Sequence, residues 1–180
     1  MGVSTMSKNL FAWASIGENG KGTGGKKGDQ SGKEVRLGNY YNFGQDKVIR
    51  FKNVIKGRKM AKVAKLIAND DSCGYSMTLG ERDTLFIACK GYNWNFEKIK
   101  KAIEKGTFPK CNTDCSSFYA VCVNVTYGKQ ILNADSTTRN LISRCIRTNK
   151  NRFKLINGIP SKFHKGDAPI KEGKHIIINV

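Results

Sequence analysis

The chain has 180 residues, 32 of them basic against 14 acidic, for a formal charge of +18. With 39% hydrophobic residues it can bury a real core; disorder throughout is thereby excluded, and the length suits one domain, residues 1–180. So positive a field favours polyanionic partners in salt-sensitive association: nucleic acid, anionic lipid headgroups or the acidic polymers of a bacterial wall, among which charge alone does not choose.

Met1 to Leu10 carries one lysine and no apolar run long enough for a signal-peptide core. No stretch of about 18 apolar residues occurs anywhere, so no membrane insertion is expected. The expectation is synthesis in the cytoplasm, with release by other means if the substrate lies outside. From Gly17 to Gly32 the sequence GENGKGTGGKKGDQSG holds seven glycines in sixteen positions; its ordering costs backbone entropy, and a loop is expected. Within it, Gly20 to Gly25 satisfies GxGxxG and Gly20 to Lys26 nearly makes a Walker loop. Lys27 stands where the Mg²⁺-binding hydroxyl belongs, Phe11 to Ala14 is a poor preceding strand, and no amphipathic helix follows. Nucleotide binding is set aside.

Asp46 to Phe51 reads as a short strand. Lys59 to Asn69 places Met60, Val63, Ala64 and Ile67 at i, i+3, i+4 and i+7, one apolar helix face with Lys59, Lys62 and Lys65 outside it. A second helical pattern runs from about Trp94 to Lys105, capped by Asn93 or Asn95 and stopped by Gly106. A third begins near Asp114, with Phe118, Val121, Cys122 and Val125 on one face, and a weaker fourth spans Thr137 to Arg147. The last segment changes period: Gly166 to Ile170 enters a strand, Lys171 to Lys174 turns, and His175 to Val180 is β-rich. Helices first and strands later predict an α+β domain.

Six cysteines, at 73, 89, 111, 115, 122 and 145, lack the density of a disulfide scaffold. Cys73, Cys89, Cys122 and Cys145 read as reduced, buried small hydrophobes. A zinc site from Cys111, Cys115, His164 and His175 can be drawn, but no CxxC pair supports it, and no cofactor is expected.

The most informative stretch runs from Cys111 to Cys122. Loop-type residues lead to Asp114, and the helical pattern begins just past Cys115, which therefore falls in the first turn. Unpaired N–H groups and the positive dipole end there favour thiolate over thiol. A thiolate so placed is a competent nucleophile, and the backbone N–H groups around Cys115 and Ser116 can hold an oxyanion. The bland alternative is a buried structural cysteine with Asp114 as a helix cap. His175, opening a strand after a turn, is the expected base; His164, in the basic loop Ser161 to Gly166, ranks second.

Asp114-Cys-Ser-Ser117 at a helix start, Gly166-Asp167 before a strand, and Gly173-Lys-His-Ile-Ile-Ile178 in the next resemble the NlpC-type cell-wall cysteine peptidases, which are papain-like. Ala14-Ser15-Ile16, Gly28-Asp-Gln-Ser-Gly-Lys-Glu-Val35 and Lys47-Val-Ile-Arg50 resemble a subgroup of phage endolysins and prophage hydrolases. The resemblance implies a papain-like fold with N-terminal helices on a small antiparallel sheet, and hydrolysis of peptidoglycan stem peptides, typically at γ-D-glutamyl linkages, without metal. It also implies a tyrosine near substrate and oxyanion, for which Tyr75 is the best match. Family members carry a polar residue on the strand after the histidine; here Asn179 is the sole such residue, roughly 13 Å along a strand at about 3.3 Å per residue, too far for a hydrogen bond. Asp29 or Gln30 from the glycine-rich loop is the expected substitute.

Two functions follow. One is a cysteine endopeptidase or amidase with Cys115 and His175 catalytic, held by its charge on peptidoglycan and anionic wall polymers. The other is a basic nucleic-acid-binding protein with Cys115 structural, for which Arg144 to Lys154 interleaves charge with an aromatic.

Overall fold

The computed structural model describes residues 9–180. The chain opens on a strand, β1 (Leu10–Ala14), whose two faces are both buried. Ala12 and Ala14 enter the main core, while Phe11 and Trp13 pack with Ile177 in a second cluster that Tyr40, Phe43 and Phe163 complete. Burial on both faces removes polar alternation, which is why this segment reads as a poor strand. It pairs antiparallel with β2 (Val35–Asn39) on one side and β9 (Ile178–Asn179) on the other.

A second sheet is centred on β3 (Lys47–Phe51), which lies between β6 (Phe153–Asn157) and β7 (Ala168–Lys171), with β8 (His175–Ile176) outside β7. The last strand therefore changes sheet at Ile177, giving its first half to one and its second half to the other. A short parallel pair joins β4 (Cys73–Tyr75) to β5 (Cys111–Thr113).

Helix α1 (Val54–Ala68) starts five residues before the expected Lys59, because Asn53 caps it by accepting from the Lys56 N–H. Its Met60, Val63, Ala64 and Ile67 face the core as the periodicity requires. α2 (Thr84–Gly91), unread in the sequence, precedes α3 (Phe96–Glu104), which Asn95 caps and Gly106 follows at φ 64°. α4 (Cys115–Tyr127) is buried from Cys115 to Thr126, capped by Asp114, and stopped by Gly128 in the left-handed conformation. A helix wrapped on all sides is the middle of a core, and α1 and α2 both pack on it. The weak fourth pattern is one short turn, α5 (Leu141–Ser143), running into a π-helical turn over Arg144–Thr148.

The fold is α+β, as expected. The expected order is corrected: strands stand at both ends of the chain with the helices between them. All six cysteines are unpaired and buried.

Candidate active site

β5 leads through Asp114 directly into α4, so the sequence from Cys111 to Cys122 is a strand, a cap and a buried helix. Asp114 Oδ1 accepts from the Ser117 N–H at 2.7 Å and the Ser116 hydroxyl at 2.8 Å. Its Oδ2 lies 3.1 Å from Arg82 Nε. Arg82 is itself buried; it reaches Ser116 Oγ at 3.4 Å, donates to the Ser136 carbonyl, and lies 3.5 Å from Asp83. The mouth of α4 is thus a buried cation held between two carboxylates, an arrangement that offsets desolvation only while all members remain.

Cys115 is 7% exposed. Burial, and then the Asp114 charge, push its thiol up to about 12, against the lowering effects of the Ile176 N–H, Arg82 and the Ser116 N–H. Burial and the Asp114 charge thus oppose the thiolate that the helix N-terminus favours. Asp114, which satisfies the helix end, also brings a negative charge to it, and that charge acts with dehydration against ionisation of the thiol.

His175 opens β8, one residue before the Ile176 N–H that is directed at the Cys115 sulfur. Its ring meets Phe43 edge-on at 5.1 Å between centroids and Tyr41 at 6.3 Å. Its Nε2 is buried without a hydrogen-bond partner, and burial lowers the imidazole to about 4. No hydrogen bond joins the imidazole to the sulfur. Two tyrosines complete the surroundings. Tyr75 stands opposite Thr113 in the β4–β5 pair, and its pKa is raised by burial first, then by Cys115 and Asp114. Tyr41 is raised by burial, with Arg36 opposing and the Cys115 sulfur adding. The expected Cys115, Ser116, Asp114, Tyr75 and His175 thus gather around one helix end.

Asp29 and Gln30 are not hydrogen-bonded to His175. Asp29 Oδ1 accepts from the N–H groups of Ser31 at 3.1 Å and Gly32 at 2.6 Å; Gln30 Nε2 donates to the Lys27 and Gly28 carbonyls. Both surround Glu34, a wholly buried carboxylate that accepts from the N–H groups of Gln30, Ser31 and Lys33 and from the Ser31 hydroxyl. Burial and Glu34 raise Asp29 to about 6. Glu34, which burial alone would raise, is held down to about 2 by bonds from Asp29 and those N–H groups. These bonds fasten the glycine-rich loop, where the Gly28 N–H donates to the Cys111 carbonyl and the Asp29 N–H to that of Asp71. The loop expected from glycine content is a loop, but one clasped to the strand that leads into Cys115.

His164 is exposed and its carbonyl accepts from the Asn179 side chain at 3.0 Å, so Asn179 serves that loop rather than His175. The four residues of the drawn zinc site are not gathered; among the described residues no three histidine, cysteine or acidic side chains cluster to hold a metal ion. Arg82, Tyr41, Phe43 and Glu34 were missed. Glu34 lies in the GDQSGKEV segment and could have been found there; Arg82 carries no pattern in sequence.

Among the described residues no helix is long and apolar enough to cross a membrane. Residues 11–180 match the family model of the endolysin-like domain. No curated protein and no solved structure matches the chain.

Proposed function

The chain belongs to the endolysin-like domain family, and from that premise we propose that residues 1–180 act as one catalytic unit, a papain-like cysteine endopeptidase or amidase of the NlpC type that hydrolyses stem-peptide amide bonds of peptidoglycan. The observation that carries this reading is the meeting of Cys115, at the mouth of a buried helix, with the strand that presents His175.

Both groups are neutral at pH 7 given pKa values of about 12 and about 4, so the mechanism starts from thiol and imidazole rather than an ion pair. Proton transfer requires the Cys115 thiol and the His175 imidazole to come within hydrogen-bond reach, and such bonds often tighten only when substrate is bound. As the sulfur attacks the carbonyl carbon, His175 takes the thiol proton and the S–C bond forms. The carbonyl oxygen becomes an oxyanion facing the Cys115 and Ser116 N–H groups, with the Tyr75 hydroxyl as a further donor. The C–N bond then breaks, the imidazolium protonates the leaving amine, and a thioester remains on Cys115. Water, deprotonated by His175, releases the acid and restores the thiol. Asp114 and Arg82 act through the backbone, holding the helix mouth in place, and Phe43 and Tyr41 orient the imidazole in place of a polar third residue.

On this reading the protein is made in the host cytoplasm and acts on the wall after release. The test is mass spectrometry of fragments from purified peptidoglycan. New amine and carboxyl termini within stem peptides, absent with Cys115→Ala and His175→Ala, are expected; new reducing sugar ends with intact stems would overturn the proposal.

A further inference from the structure

A cavity lies away from Cys115, with none of the site residues around that sulfur in its wall. It has a volume of about 690 Å³ and is walled by Arg58, Lys62 and Lys65 of α1, by Lys162 and Lys165 of the loop between β6 and β7, and by the end of β9. No acidic side chain lines it. A neighbouring cavity of about 320 Å³ shares Arg58, Lys162 and Lys165 and adds His164, so the two adjoin along one basic groove. Among the described residues, Arg58, Lys62, Lys65 and Lys162 are exposed and enter no ion pair. Unpaired like charges gathered on one face project a positive field that favours an anionic partner.

The groove is rigid. The loop crosses α1 at Gly57, where a Cβ would stand 2.5 Å from the Lys165 carbonyl oxygen, and Gly166 answers it at φ 84°. Asp167 holds the same loop by accepting from the His164 N–H at 2.8 Å while it binds Arg50. Arg58, Lys62 and Lys65, at i, i+4 and i+7, span about 10 Å of helix at 1.5 Å per residue, more than a single phosphate reaches. A chain bearing successive negative charges fits this spacing. Its aromatic wall, Phe163, is already packed against Phe11 and Tyr40, each at 5.2 Å, and is not offered as a stacking platform for bases.

We infer that this groove binds the phosphodiester backbone of a polyol-phosphate wall polymer and tethers the enzyme to its substrate, an assignment that rests on the peptidoglycan reading above. Phe163 belongs to the aromatic cluster that also includes Phe43, the residue packed on His175, so the tether and the catalytic pair flank one rigid element.

The test uses the full chain carrying Cys115→Ala, so that binding is read apart from cleavage, with soluble poly(glycerol phosphate) as the probe. In the parent, affinity falls between 50 and 200 mM salt by roughly 20-fold more than in Arg58→Gln/Lys62→Gln/Lys65→Gln, because each phosphate that a cation neutralises adds about 0.7 to the log–log salt slope. A control of equal charge, Lys98→Gln/Lys101→Gln/Lys105→Gln, exposed positions on α3 and at its C-cap, should follow the parent. Equal losses in both triple variants, parental binding by the groove variant, no binding by the parent, or tighter binding of a single-stranded oligonucleotide would each overturn the inference. Hydrolysis of a soluble stem peptide by the groove variant with Cys115 intact should equal wild type. Failure of the wild type to cleave any stem peptide would sink the hydrolase reading while the binding result still judged the groove.

Discussion

The mouth of α4 and the groove along α1 handle charge in opposite ways. At the mouth, Arg82 is 7% exposed and surrounded by Asp114, Asp83 and two oxygen acceptors. In the groove, Arg58, Lys62 and Lys65 stand in water and are paired with nothing among the described residues. A buried ion whose partners are spent holds geometry, because losing any member leaves an uncompensated charge. Exposed unpaired cations contribute little to the fold and keep their field for something outside it. One region is built for position, the other for attraction.

That contrast can be broken first at Cys115. Cys115→Ala should reduce turnover of a soluble stem peptide by about 10³-fold or more, whereas the groove triple variant should leave it unchanged; steady-state kinetics on both variants checks this. Next in size is the ion cluster. Arg82→Met should cost about 3–5 kcal/mol in chemical denaturation by stranding Asp114, while Lys62→Met should stay within about 0.5 kcal/mol. Comparable losses for the two would erase the distinction.

The resting protonation state gives two further measurements. Because burial and Asp114 raise the Cys115 thiol to about 12, alkylation by iodoacetamide should be slow at pH 7 and still climbing at pH 9. A plateau by pH 6 would mean a thiolate and would contradict the neutral pair. For His175, burial lowers the folded-state pKa to about 4, below the usual 6.5 or so. As pH falls through 6.5 the unfolded chain takes up a proton that the native state refuses, so this group makes stability decline from pH 6.5 toward about 4. His175→Gln should flatten that part of the stability–pH curve, and a wild-type curve already flat there would refute the shift. The smallest effect is expected at Asp29. Asp29→Asn keeps the shape of a side chain whose Oδ1 accepts from the Ser31 and Gly32 N–H groups and makes no bond to His175, so kcat/KM should remain within about twofold; a drop of a hundredfold would return Asp29 to a role on His175.

Much of the site was legible because its geometry is local. Asp114-Cys-Ser-Ser117 spells a cap and a first turn, and the apolar period of α4 sets where the sulfur falls. The α1 face and the Asn95 cap were readable for the same reason. What stayed hidden was set by partners distant in sequence. β1 carries no alternation because both its faces are covered, and β4 and β5 are three-residue strands that exist through pairing with each other. Arg82 meets Asp114 across 32 residues, and Phe43 meets His175 across more than a hundred, separations that no spacing rule spans. The resting thiol escapes a sequence reading for a related reason: the first turn announces a dipole, but dehydration depends on what the rest of the chain lays over Cys115.

On the proposed function, the Cys115 sulfur carries the reaction. Cys73, Cys89, Cys111, Cys122 and Cys145 are at most 1% exposed, so a small alkylating reagent at mildly alkaline pH should reach Cys115 first. Wall-solubilising activity, measured alongside the alkylated fraction of the Cys115 peptide by mass spectrometry, should fall in direct proportion to that fraction. Full activity from protein quantitatively alkylated at Cys115 would contradict the mechanism outright.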